Sequence, residues 1–172
     1  MEQNVPRGNN QRKGLTFPNG AKYGEDSYFN YFYFKNAKKV AYTPSVTYRY
    51  ERNKGSLVTD GFKERRLDIF NGLNVVIKDA EQTGGKILSS AHAARALFIC
   101  ETLYFINKYK YKNKAVTDKL VIYLKEDVKH LKKCKYVSLY RRMLIPLVPP
   151  ASVLFFGKVG KSYPDESDCI KE

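Results

Sequence analysis

The sequence predicts an α/β chain that is mostly helical and carries one short, hairpin-like pair of strands. Three observations lead there. Val46, Tyr48 and Tyr50 alternate with Thr47, Arg49 and Glu51, the pattern of a half-buried strand. From Thr59 onward the apolar residues recur with a helical period through three successive stretches. Ahead of both lies SYFNYFYFKNA (27–37), apolar nearly all round and without period-two alternation, which reads as a helix although Tyr and Phe also favour sheets.

The elements follow in chain order. Residues 1–20 are polar and rich in Gly, Asn and basic side chains, and read as an irregular connector. Asp26 or Ser27 is placed to cap the aromatic helix by accepting from first-turn amides. KVAY (39–42) reads as a first short strand, Pro44 as a turn, and Asn53, Lys54 and Gly55 as the end of the second strand. The first long helix places Phe62, Ile69, Phe70, Leu73, Val76, Ile77 and Ala80 on one face, and Gly84-Gly85 stops it. The second, about Ser89 to Asn107, carries Ala93, Leu97, Cys100 and Tyr104 on one row, with Ala94, Phe98 and Phe105 beside it. The third starts near Thr117, with Leu120, Leu124, Val128 and Leu131 inward and Lys125, Lys129, Lys132 and Lys133 outward. Pro146, Pro149 and Pro150 then break up the basic and apolar run YRRMLIPLVPPASVLFFGK (140–158). The expected organisation is residues 1–57, a helical subdomain at 58–139, and a basic-apolar tail at 140–172 that is disordered in part.

Composition narrows the function classes. The chain has 172 residues and 43% apolar content, enough for a real core. Its 31 Lys and Arg against 17 Asp and Glu leave a net charge of +14, which calls for an anionic partner. Cys100, Cys134 and Cys169 form no C-x-x-C pair, which argues against zinc or dithiol chemistry and for a reducing, cytoplasmic setting. MEQNVPRGNNQRKG has no apolar core of the signal-peptide kind, and no stretch reaches the ~18 uncharged apolar residues of a spanning helix.

Three features carry chemistry. In Gly24-Glu25-Asp26, a carboxylate just ahead of a helix either caps it or takes a proton from an incoming hydroxyl. Arg141 and Arg142 beside a proline-broken apolar run suit an anionic bilayer interface, or else a tail packed on the domain's own helices. NKYKYKNK (107–114) interleaves Tyr with Lys as a nucleic-acid groove does, but no recognisable nucleic-acid module accompanies it, so nucleic acid is the weaker of the anionic partners. His92 and His130 each stand alone in sequence, read as a packing residue and a surface residue, and no metal site is assigned.

The order of Phe17-Pro18, Gly24-Glu25-Asp26, the aromatic stretch Tyr28 to Phe34, Val40 to Tyr42, Tyr48-Arg49-Tyr50 and Gly55-Ser56 resembles a stretch of bacterial family-2 glycosyltransferases, over about residues 15–57. The resemblance implies a GT-A fold and inverting transfer of a sugar from a nucleotide-sugar donor to a glycan or lipid-linked acceptor, in cell-surface polysaccharide synthesis. It also implies that Asp26 is the catalytic base, with Glu25 supporting acceptor or base. It places Arg49, Arg52, Gly55 and Ser56 on the strand and loop that close over the donor diphosphate; the plain alternative for the two arginines is a solvated strand edge. Family members hold Mg²⁺ or Mn²⁺ at an Asp-x-Asp motif in an amino-terminal nucleotide-binding half. No Asp-x-Asp precedes Asp26 in these residues, so the chain itself is assigned no cofactor. The expectation is therefore a carboxy-terminal portion, with residues 1–57 the acceptor side of a GT-A catalytic domain, that is inactive alone, awaiting its missing half or self-associating, and peripheral on the cytoplasmic face of the inner membrane. The rival expectation is a noncatalytic, basic helical protein bound to membrane or RNA.

Overall fold

The computed structural model describes residues 15–17, 23–45 and 62–145. Five helices make up most of this: α1 (Glu25–Asn36), α2 (Asp68–Thr83), α3 (Gly85–Lys108), α4 (Lys114–Leu131) and α5 (Leu139–Leu144). A 3₁₀ turn, Glu64–Leu67, leads into α2. The chain divides into two compact units, Met1–Val76 and Ile77–Glu172.

The expected α/β GT-A-type fragment is corrected here. Of the described residues 73% are helical and none lies in a strand, so the described chain is all-α. KVAY runs irregularly, with Val40 and Tyr42 exposed. Alternation and β-propensity make a strand only where a neighbouring strand accepts its backbone hydrogen bonds, and no such neighbour occurs among the described residues. The second expected strand, 46–51, lies outside them. The Pro44 turn is present: the Thr43 hydroxyl accepts from the Ser45 amide at 3.2 Å.

In the first unit, α1 forms where the aromatic run predicted a helix. Its rings stack at helical spacing, with Tyr28 and Phe32 centroids 4.9 Å apart and Phe29 and Tyr33 6.0 Å apart. Phe29 is buried and lies flat against Phe17 at 4.3 Å. At the far end the Asn36 side-chain amide donates to the Phe32 carbonyl at 2.8 Å, and the Ala37 amide to Phe34, satisfying carbonyls the helix leaves open. α1 approaches the start of α2 closely: a Cβ built on Gly72 would stand 3.5 Å from Tyr28 Cβ.

In α2, Ile69, Phe70, Leu73, Val76, Ile77 and Ala80 are buried as the period predicts, whereas Phe62 precedes the helix. The Gly84-Gly85 pair is less of an interruption than expected. Both have positive φ, but Gly84 alone separates α2 from α3, and Gly85 is already helical.

In the second unit, α3 and α4 pack antiparallel: Ser90 meets Cys134, His92 meets His130, and Arg95 meets Tyr123. The connection is tight. Lys110 takes φ 51, the Tyr111 amide reaches back to the Ile106 carbonyl and the Lys110 amide to Asn107, a Schellman-type ending to α3. Asn113 then caps α4 by accepting from the Val116 amide at 3.2 Å, which starts the helix earlier than the apolar pattern alone indicated. α3 buries Ala93 and Cys100 as expected, together with Ala96, Ile99, Leu103 and Ile106, whereas Leu97, Phe98, Tyr104 and Phe105 are only half-buried. Each fully buried Ile or Leu contributes roughly 1.5–3 kcal/mol. α4 buries Leu120, Leu124 and Leu131 as expected, but Asp127 in place of Val128, while Lys125, Lys129, Lys132 and Lys133 are exposed. Among the described residues no helix is long and apolar enough to cross a membrane.

Candidate functional site

The start of α1 is built around a glycine. Gly24 is the N-cap, with φ 78 and ψ 11, a left-handed conformation that L side chains rarely adopt. A Cβ there would lie 2.4 Å from Ile69 Cγ1, so the approach of this turn to α2 also requires its absence. With Gly24 in the capping place, Asp26 is not the N-cap; it sits one residue into the helix, beside Glu25.

Asp26 is exposed, and its Oδ1 accepts from the Ser27 amide at 2.7 Å. This is a local charge-assisted bond at the positive end of the helix, where a carboxylate is favoured. Among the described residues Oδ2 has no protein partner, so one oxygen is held while the other faces outward. The expected capping role of Asp26 is thus replaced by this bond to its neighbour's amide. Glu25 is half-buried in the same turn. The structure thus places Glu25 and Asp26 together, while Arg49, Arg52, Gly55 and Ser56 lie outside the described residues.

The second unit holds a polar cluster that sequence reasoning missed. Asp127 is 0% exposed. Its Oδ1 accepts from His92 Nδ1 at 2.6 Å and from an Arg95 terminal nitrogen at 2.7 Å, and its Oδ2 accepts from Arg95 Nε at 2.9 Å. Arg95 also donates to Glu126 at 2.7 Å and lies 4.6 Å over the Tyr123 ring. Burial alone would pull the guanidinium pKa down; the bonds and charge of Asp127, with Glu126 behind it, outweigh that and raise it. His130 stacks on His92 with ring centroids 3.9 Å apart and planes 9° from parallel. Burial, the neighbouring His92, and Lys129 push the His130 pKa below its ordinary value, against the pull of Asp127. The two histidines that stand alone in sequence are thus face to face.

A signal for this cluster was present. Leu120, Leu124, Asp127 and Leu131 follow one 4-3-4 spacing, so the carboxylate belongs to the inward row, and a buried carboxylate needs a cation opposite. Arg95 within the Ala-rich AHAARA is the matching irregularity on α3. Both Asp127 oxygens are taken up by Arg95 and His92, so this buried carboxylate acts as a structural lock. Cys100 is equally closed: burial pushes its thiol up to about 12 against the influence of Arg141, so it carries no thiolate near neutrality. Cys134 is also buried and free.

Among the described residues no three His, Cys, Asp or Glu side chains converge on a common point that would hold a metal ion. The Mg²⁺ or Mn²⁺ implied by the glycosyltransferase resemblance has no fitting holder in this part of the chain. No family model, no curated protein and no solved structure matches the chain.

Proposed function

We propose that this chain supplies the acceptor-side base of an inverting sugar transfer, from a nucleotide-sugar donor to a glycan or lipid-linked acceptor, of the kind family-2 glycosyltransferases perform in cell-surface polysaccharide synthesis. The observation that carries the reading is the turn at Gly24-Glu25-Asp26. A glycine that only glycine can replace sets the helix start, and the next-but-one residue presents an open carboxylate. Oδ1 is fixed by the Ser27 amide, leaving Oδ2 to accept a proton from an acceptor hydroxyl as that oxygen bonds to the anomeric carbon and the bond from that carbon to the departing nucleoside diphosphate breaks. Glu25, in the same turn, orients the hydroxyl or supports the base. Arg49, Arg52, Gly55 and Ser56 are assigned to the donor diphosphate on the resemblance alone. The donor site requires a nucleotide-binding half with its own metal ligands. The proposed setting is the cytoplasmic side of the inner membrane, with the chain bound peripherally.

The test is sugar transfer by the full chain supplied with a donor-binding half that carries Asp-x-Asp, such as the product of an adjacent upstream reading frame. We expect transfer by the pair and none by the chain alone. Asp26→Asn should lower turnover by at least about a hundredfold, the scale of a general base, with unchanged thermal melting. Full turnover by Asp26→Asn, or turnover by the chain alone, overturns the reading. One observation favours a second reading, a noncatalytic basic helical protein on membrane or RNA. The regular structure among the described residues is all helix, and Lys119, Lys125 and Lys129 are exposed along α4.

A further inference from the structure

The segment after α4 is anchored and yet presents apolar side chains outward. Leu131, Cys134, Val137 and Ile145 are buried and hold it to the second unit. Between them Tyr136 is 81% exposed, Leu139 62%, Tyr140 53% and Met143 59%. Leu139, Tyr140 and Met143 fall at i, i+1 and i+4, on one side of α5. Single exposed apolar residues are ordinary, but four large ones within a few residues of chain make a patch that marks an interaction surface. The stretch of chain that carries them is basic. Lys132, Lys133 and Lys135 are exposed, Arg141 and Arg142 half-buried, and no acidic residue occurs between Asp127 and Asp165.

We infer that the surface from Lys132 to Met143 docks on an anionic lipid bilayer, with Leu139, Tyr140 and Met143 entering the interface and the lysines lying over the headgroups. Charge selects this occupant. A second copy would bring the same run of Lys and Arg against itself, in a chain that already carries +14. A nucleic acid would engage the lysines but has no use for Leu139 and Met143, which cannot stack on a base. An anionic interface satisfies both halves: Tyr sits at headgroup depth, Leu and Met leave water, and each basic residue gains from the surface potential. The inference names the surface behind the membrane part of the reading above and is independent of sugar transfer.

The experiment uses the full chain, vesicles of phosphatidylcholine with and without phosphatidylglycerol, and no donor or acceptor. The chain has no Trp, so Tyr140→Trp provides a single fluorescent reporter. We expect partition onto the anionic vesicles only, with a blue-shifted Trp emission that brominated lipid quenches. Leu139→Ser with Met143→Ser should weaken partition at least about tenfold, from the apolar area returned to water. Neutralising Lys132, Lys133 and Lys135 to Gln should weaken it about fivefold per charge. The substituted side chains are exposed, and an unchanged melting curve verifies that each variant is folded. Equal partition onto both vesicle types, an unshifted Trp, or insensitivity to the Ser pair overturns the inference. So does loss through the lysines alone, which is plain electrostatic adsorption, or a solution dimer that the Ser pair dissolves. Failure here leaves the assignment of Asp26 standing, and an inactive but vesicle-bound pair fails only that assignment.

Discussion

Asp26 and Asp127 show how differently one side chain is used in the two units. Asp26 is exposed, and only its Oδ1 is held, by the amide and more distantly by the hydroxyl of Ser27. Asp127 is fully buried, and its oxygens take three bonds from Arg95 and His92. A carboxylate enclosed by cations stabilises a fold through what its removal would leave behind; a carboxylate facing water contributes little to stability and is free for chemistry. The first is closed to an incoming group, and the second is open to one.

The largest break in this comparison is expected from Asp127→Ala. It strands the Arg95 and His92 donors in the interior, and losing one partner of a buried pair costs about 3–5 kcal/mol, read by chemical denaturation. Gly24→Ala should come next. The left-handed backbone costs about 1–2 kcal/mol and the clash with Ile69 a similar amount, measured the same way. A smaller effect is expected from pH. His130 in the folded chain resists protonation, whereas in the unfolded chain it titrates near its ordinary 6.5. Below that pH the unfolded state binds more protons. The stability due to neutral His130 is therefore present above it, falls as pH drops through it, and levels off below the depressed folded value. His130→Gln should remove that part of the slope, seen by comparing the two proteins' denaturation midpoints across the window. Asp26→Asn should change stability least, within about 0.5 kcal/mol, even though it is the substitution expected to remove transfer. A large destabilisation there would erase the distinction between the two aspartates.

Much of the helical scaffold was legible in the sequence. The α2 face from Ile69 to Ala80 and the lysine side of α4 follow directly from period and charge. α3 was legible as a helix but not as a face: its apolar arc is wide enough that Leu97 and Tyr104 read as core when Ile99 and Leu103 are. The packing partner decides that choice, and periodicity carries no information about it. KVAY misled for a related reason, since a strand is a property of a pair. At the candidate site the open carboxylate was readable, but its freedom from capping depends on the φ of Gly24, set by the approach of Ile69. The Asp127 cluster joins residues more than thirty positions apart, so the local rows mark its members as inward but not which of them pair.

The Arg95–Asp127–His92 lock has one more consequence, for how α3 and α4 find their alignment. The apolar rows of the two helices are repetitive, so sliding α4 by one turn along α3 would still set Leu or Ile against apolar neighbours. The charges do not repeat. A one-turn slip would carry Asp127 toward Ala96 and Ile99 and leave Arg95 without its fork of oxygens, at a cost of several kcal/mol. The cluster lies away from the turn at Lys110, so it fixes the alignment at the end of the helix pair that the connection constrains least.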